Sequence, residues 1–384
     1  MAAGFALAFS GAAPGQTSLA REGRYWTETA NGNMTVNGAI RLRVIATGNV
    51  TLRGHAGGRM SYTLKRKIQA RDAEEAARLL RGFEVKTSVR GGWLYLTVTS
   101  PSSRTMSADL SVTVPRSFED AVVESYDGNV QAYDFDGQVQ VSTAAGNVSL
   151  DRLQRSAVAK TGGGNITVGK ISGALKCYSG GGNLTVESVG AECWLETEGG
   201  EITVGQAMGP VHVFTQAGGN IKVGKSTGAV YARTAGGLIE VGQAAGVVEA
   251  QNSGGSIQVN SANGVRCQSD SGAIRLKNVD GALRASTVAG NIIAELLAGR
   301  PLRDSMLSTN SGDITVLIPS NIAVTVMARN QTPGSGRIIS EFPEIQVRQP
   351  GASSAAAVAE GALNGGGPVF RIVVNAGTIY LKKK

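Results

Sequence analysis

Gly164-Asn165-Ile166-Thr167-Val168-Gly169-Lys170-Ile171-Ser172-Gly173-Ala174-Leu175-Lys176-Cys177-Tyr178-Ser179-Gly180-Gly181 is one turn of a repeat that decides the fold. The glycine that precedes an apolar-x-apolar pair returns at 128, 146, 164, 182, 200, 219, 237, 255, 272, 290 and 312, in steps of 18 broken by 19, 17 and 22. Each half-unit is a short alternating run followed by a glycine-rich corner. Period-2 alternation with β-branched residues means strand, and the runs are too short for helices. Two strands and two corners per 18 residues describe one coil of a parallel β-helix, or β-solenoid. Each strand then pairs with its equivalent one coil away, about 4.8 Å along the axis, and ten or so coils make a rod of roughly 50 Å.

The alternation sorts the side chains. Ile166, Val168 and Ile171 face inward from one sheet, and Leu175 and Cys177 from the other. A polar column runs just before the corner: Ser125, Thr143, Thr161, Ser179, Thr197, Thr215, Thr234, Asn252, Ser269, Thr287 and Thr309. Stacked hydroxyls there can satisfy corner amides that sheet pairing leaves free. Asn after the anchor glycine, as at 129, 147, 165, 183, 220 and 291, suits a corner with positive φ.

Outward from the repeat, residues 20–126 read as a β-rich capping part. Gly32-Asn33-Met34-Thr35-Val36 and Gly48-Asn49-Val50-Thr51-Leu52 look like early coils, and longer strands are expected at 59–68, 83–89, 92–99 and 106–114. One helix is expected near residues 72–81, with an Asp72/Glu75 capping box, Gly82 as stop, and Ala73, Ala76, Ala77 and Leu80 as its apolar face. Residues 127–318 are the repeat solenoid. Residues 319–384 hold terminal strands, a mobile loop over 351–367 and a last coil at Gly377-Thr378-Ile379-Tyr380-Leu381. The whole of 20–384 is read as one cooperative unit closed by end caps. Residues 1–19 read as a signal-peptide remnant and linker: the apolar run 2–9 precedes small residues at Ser10-Gly11-Ala12-Ala13. That run is too short to span a bilayer, and no other segment is a candidate to cross one.

Composition narrows the function. Glycine is 53 of 384 residues, aromatics are 5% and charges 17%, so the buried residues must be small. The net charge of +8 is uneven. Residues 127–318 hold 14 Lys/Arg against 16 Asp/Glu, so the repeats offer no long basic stripe for nucleic acid. Three cysteines and two histidines exclude a Cys/His zinc cluster. Cys177 and Cys267 fall in one inward column and Cys193 is two residues off register, so all three are expected to be buried free thiols.

The order of features resembles the bacterial "putative adhesin" family of β-strand-repeat envelope proteins, a domain of unknown function. The matching residues are the early Gly-Asn-Met-Thr-Val strand at 32–36, the Ala-Glu-Glu-Ala-Ala-Arg-Leu-Leu helix at 73–80, and Ser111-Val112-Thr113-Val114-Pro115 leading into the repeats. Asn364-Gly365-Gly366-Gly367-Pro368 before the last coil completes the set. The resemblance covers about residues 25–384. It implies a β-helical, exported, non-enzymatic protein and supplies no catalytic, cofactor or metal residues.

Several motifs are by-products of the repeat. Gly219-Asn220-Ile221-Lys222-Val223-Gly224-Lys225-Ser226 spells a phosphate-loop pattern but is itself strand plus corner, without the helix such a loop needs. The aspartate slot of an 18-residue calcium roll holds Ile166, Leu184, Ile202, Ile221 and Ile239, which cannot ligate calcium. The Asn-x-Ser/Thr sequons arise in the same way. Carboxylates that could serve a polysaccharide-acting enzyme are Asp134/Asp136 and the acidic coil Glu192, Glu196, Glu198 and Glu201, with no reciprocal cationic cluster evident.

The remaining candidate is an aromatic patch. The outward column through Lys176 continues as Trp194, His212 and Tyr231, and its neighbour carries Tyr178, Glu196, Phe214 and Arg233. Rings clustered in so aromatic-poor a chain offer rigid area for a sugar or a protein, or simply stabilise the sheet. The reading is an exported, non-catalytic β-solenoid that binds or spaces partners at the cell envelope, an envelope glycan or a surface protein, through Trp194, Tyr178, Phe214, Tyr231 and His212. A polysaccharide-acting enzyme on the same scaffold and a self-assembling scaffold subunit are the alternatives.

Overall fold

The computed structural model describes residues 19–36, 38–99, 106–299, 302–331, 337–349 and 356–384. The segment read as a signal remnant lies outside them except for Leu19. The chain divides into two compact units between Ser172 and Gly173. Each is a stack of parallel two-strand coils, as the 18-residue period requires.

In the first unit, one sheet runs Trp93–Thr99, Arg41–Ala46, Asp120–Ser125, Gln138–Thr143, Ala157–Thr161. The other runs Met106–Pro115, Asn49–His55, Val130–Phe135, Val148–Leu153, Ile166–Ile171. The coil formed by residues 41–55 is thus slotted between coils that come later in the chain. Beyond the outermost coil the pairing turns antiparallel. Glu84–Arg90 pairs with Trp93–Thr99, and Arg59–Ile68 joins Met106–Pro115 to Tyr25–Thr35. Residues 32–35 therefore belong to a long antiparallel strand, not to the early coil that their Gly-Asn-Met-Thr spelling suggests. Met34 sits opposite Met60 rather than opposite a repeat residue. The helix spans Ala73–Leu80, with the Asp72 carboxylate accepting from Glu75 N at 2.8 Å and Ala76 and Leu80 buried.

In the second unit the register is regular: Leu175 faces Cys193, which faces Val211, then Val230, Val248, Val265 and Leu283. The opposite sheet carries Ile202, Ile221, Ile239, Ile257, Ile274, Ile292, Ile314 and Ile379 in one buried line. Side chains of this size stabilise by about 1.5–3 kcal/mol each when fully buried, which is how a chain short of aromatics holds together. At the C-terminal end the last two strands, Val369–Ala376 and Thr378–Lys383, lie between the coil of residues 305–318 and the strands Val324–Asn330 and Arg337–Ser340. Of the segment expected to be a loop, Ala357–Leu363 is a strand, antiparallel to Val324–Asn330 and to Gln346–Arg348. Its Ala357, Ala359 and Leu363 are buried, and Gln346–Arg348 lies on its far side.

Three ladders hold the corners. Thr197 Oγ1 donates to Gly182 O of the preceding coil at 2.8 Å and accepts from Gly200 N of its own at 3.2 Å. The same double bond recurs at Thr143, Thr161, Thr234, Asn252 and Ser269. Thr215 is the exception, buried with no hydrogen-bond partner for its hydroxyl. It lies in the coil from Gly200 to Gly219, which spans 19 residues where the neighbouring coils span 18. The asparagines form the second ladder. Asn129, Asn147, Asn183, Asn220 and Asn291 each accept, through Oδ1, the N–H at the equivalent position one coil on, at 2.8–2.9 Å. None of these asparagines has positive φ, so the amide is chosen for its acceptor rather than for left-handed backbone. The anchor glycines are the third. A Cβ at Gly146 or Gly200 would overlap the carbonyl oxygen of Gly128 or Gly182 below it.

Candidate functional site

The second strand of each coil in the second unit, from Leu175–Ser179 to Val230–Thr234, turns one face outward. Inward Leu175, Cys193, Val211 and Val230 lock the register, so the intervening residues are forced to solvent. The sequence-derived column forms as expected: Lys176, Trp194, His212 and Tyr231 are in direct register, as are Tyr178, Glu196, Phe214 and Arg233. Among the described residues, no strand from the 319–367 segment pairs against this part of the sheet.

The rings stack along the direction in which the strands stack. Trp194 and His212 have centroids 4.8 Å apart and planes within 18°, and His212 and Tyr231 are 4.7 Å apart and within 9°. These spacings equal the strand separation, so the faces of Trp194, His212 and Tyr231 are used on one another and their edges point outward. Lys176 Nζ caps the far face of Trp194 at 5.6 Å, a cation–π contact. Phe214 leans against Trp194 at 5.4 Å and 47°. Tyr178 donates its hydroxyl to Glu198 Oε1 at 2.7 Å, and that carboxylate holds the phenol's pKa up. His212 Nε2 lies 3.5 Å from Glu192 Oε1. Trp194, His212, Phe214 and Tyr178 are half-buried, and Tyr231 is exposed. Trp194, His212, Phe214 and Tyr231 form one connected ring cluster, with Tyr178 on the same face and tied to Glu198 rather than to a ring.

The carboxylate candidates do not form an acid–base pair. Asp134 accepts from Arg152 Nε at 2.6 Å and lies 3.5 Å from Arg53 Nε, and Asp136 receives both Arg116 Nε and Nη2 at 2.9 Å. Contrary to the sequence reading, a cationic cluster does accompany them, supplied by strands one coil away. The Arg152 bond holds the Asp134 carboxyl below the usual aspartate range, the opposite of what a general acid needs. In the acidic coil, Glu192, Glu198 and Glu201 contact His212, Tyr178 and Asn220. The phosphate-loop lookalike is the strand Ile221–Ser226, and Ser226 Oγ is buried on Gly209 O. Among the described residues no three His, Cys, Asp or Glu side chains converge to hold a metal, and no helix is long and apolar enough to cross a membrane. Cys177, Cys193 and Cys267 are buried and free, and burial pushes the Cys193 and Cys267 thiols up to about 12.

Comparison with known proteins places the fold. No curated protein matches the chain. Among solved structures, a "putative cell adhesion protein" of Clostridium sporogenes is 10% identical over 93% of this chain and 100% of its own, with a TM-score of 0.22. A "putative adhesin" of Bacteroides fragilis is 12% identical over 69% of this chain and 95% of its own, with a TM-score of 0.29. The model of the family described as Toastrack DUF4097 matches residues 39–338, all of the repeat and most of the part that precedes it, and the chain belongs to that family.

Proposed function

We propose that this chain is an exported, non-catalytic, adhesin-like β-solenoid that binds an envelope glycan or a surface protein through the outer face around Trp194. The observation that carries the reading is the ring ladder itself. Three of the chain's scarce rings stack in register on a solvent-facing sheet whose core is complete without them. Rigid aromatic area lowers the ordering cost of a contact, and such residues dominate binding energies where they are partly desolvated. The non-catalytic part is supported by Asp134 and Asp136, each held in an arginine ion pair, with the Arg152 bond keeping the Asp134 carboxyl ionised rather than poised to donate a proton. In the first unit the coils are bordered by the antiparallel strands Arg59–Ile68 and Glu84–Arg90, and in the second Val324–Asn330 is bordered by antiparallel Ala357–Leu363, which disfavours strand addition at those edges.

The test is a glycan and envelope-component array on the full chain, with a turnover check on whatever is retained. Trp194→Ala and Tyr231→Ala should weaken capture of the retained component about tenfold while the melting temperature stays nearly constant. Capture that is indifferent to both substitutions sinks the assignment of this face, and release of cleaved product sinks the non-catalytic reading. The export part rests on the composition of residues 2–13 and is read by fractionating the producing cell.

A further inference from the structure

The outward column does not end at Tyr231. In register it continues as Glu249, Arg266, Arg284, Met306 and Arg371. Here the surface sinks into an open groove of about 650 Å³. Arg266, Arg284 and Arg371 line it, all exposed. None of the three makes an ion pair among the described residues, as Arg59, Arg155 and Arg233 elsewhere on the chain also do not; what sets the three apart is that they share one groove. The depression exists because the neighbouring outward column shrinks to Ser286 and Ser308 after Gln268, giving a floor of small hydroxyl and amide groups. Asp304 at the rim is occupied, its Oδ1 accepting Val369 N at 2.9 Å. Three uncommitted guanidinium groups therefore stand against one engaged carboxylate.

We propose that this groove binds a carboxylate-bearing polysaccharide lying along the direction in which the strands stack. The proposal rests on the reading of this outer face as the contact surface, and it names the ligand class. Guanidinium groups grip carboxylates through paired N–H bonds. The strand spacing sets their placement: Arg266 and Arg284 are one step apart and Arg371 two steps further, so the cations span roughly 14 Å in a line. One pyranose ring advances an extended chain by about one such step, so a uronate polymer presents carboxylates at matching intervals. The serine and glutamine floor suits a hydroxyl-rich ligand. An acidic peptide fits less well, because extended peptides gain their affinity by pairing with an open sheet edge. The groove lies on the face of a sheet whose strands are already paired on both sides. Glu249, in register between Arg266 and Tyr231, separates the groove from the ring ladder, so the uronate contacts end at Arg266.

The experiment is calorimetric titration of the full chain with oligomers of polygalacturonate and of alginate, their methyl esters, and poly-glutamate of matched charge. At least one uronate oligomer should bind about tenfold more tightly than its methyl ester, and its affinity should fall as salt is raised. Arg284→Gln/Arg371→Gln should weaken that binding by about tenfold or more with an unchanged melting curve, since both side chains are exposed and unpaired. Failure of both uronates to bind, equal affinity for acid and ester, tighter binding of poly-glutamate, or indifference to the arginine substitutions each overturns the proposal. Trp194→Ala/Tyr231→Ala separates the two readings. If the arginine variant loses the uronate and the ring variant keeps it, the groove stands and the ladder is structural. If the ring variant alone loses an envelope component and no uronate binds, the ladder stands and the groove proposal falls.

Discussion

Thr197→Val and Thr215→Val make the same isosteric change on neighbouring strands, at positions directly paired in register. Both side chains are buried, at 0% and 3% exposure. Thr197 bridges two coils, and its loss leaves Gly182 O and Gly200 N without a partner where water does not reach. Each buried group so orphaned costs about 1–3 kcal/mol, so losing both partners should destabilise the variant by about 2–6 kcal/mol. Thr215 makes no such bridge, and its hydroxyl is itself the orphan. Replacing it with a methyl group should be neutral, or stabilising by up to about 1 kcal/mol. Urea titration reads the difference as a lowered midpoint at constant slope for Thr197→Val alone. A repeat stack need not unfold in one step, so amide exchange gives the local readout. The Gly200 N–H should exchange about 30-fold faster or more in Thr197→Val. If the two variants lose stability equally, the hydroxyl ladder is incidental and the column is kept only for its size.

Adjacent glycines give a second matched pair. Gly200→Ala, whose Cβ would overlap the backbone of the coil below, should cost more than about 2 kcal/mol, whereas Gly199→Ala meets open space and should be neutral or slightly stabilising; denaturant midpoints compare them. The three thiols should resist a thiol reagent at neutral pH until denaturant is added, because burial both blocks access and suppresses the thiolate; fast labelling of the native chain contradicts the buried columns. Arg152 lowers the folded-state pKa of Asp134, so this group's contribution is complete above the unfolded aspartate value and lost as pH falls through the lower folded value. The stability gap between wild type and Asp134→Asn should therefore be flat above about pH 5 and close below about pH 4, and a gap that widens in acid would show the pairing to be wrong.

The repeat was legible because its period is written in single residues. Anchor glycine, inward pair and corner hydroxyl each recur at the same offset, and the parallel register follows directly. The ends were less legible. Gly32-Asn33-Met34-Thr35 spells a coil, yet pairing direction is set by the partner, and that partner is the long strand Arg59–Ile68. Coil order was invisible for a similar reason: identical registers let Phe370 pair against Ser305 and Val326 alike, and local pattern does not say which coil lies next to which. The ring column was found by stepping 18 residues from Lys176. Stopping at Tyr231 missed the arginines, although Arg266 and Arg284 lie on the same steps. Arg371 joins them only through the placement of the chain's last strands. The mutual stacking of the ring faces depended on side-chain orientation, which spacing alone does not specify.

The placement of Val369–Ala376 and Thr378–Lys383 between the coil of residues 305–318 and the strands that follow it has a consequence for biosynthesis. A ribosome delivers these residues after residues 324–340, yet their slot lies between those strands and the coil of residues 305–318. Coils up to residue 318 can be laid down one after another as the chain emerges, each templated by its predecessor. Residues 324–340 cannot take their final place on that growing edge, because the strands that separate them from it do not yet exist. Completion must wait until residues 369–383 have emerged, and until then the growing edge stays open to any other strand. A stop codon shortly before residue 369 would thus remove an internal rung rather than a tail, leaving residues 324–363 with no parallel neighbour to rest on.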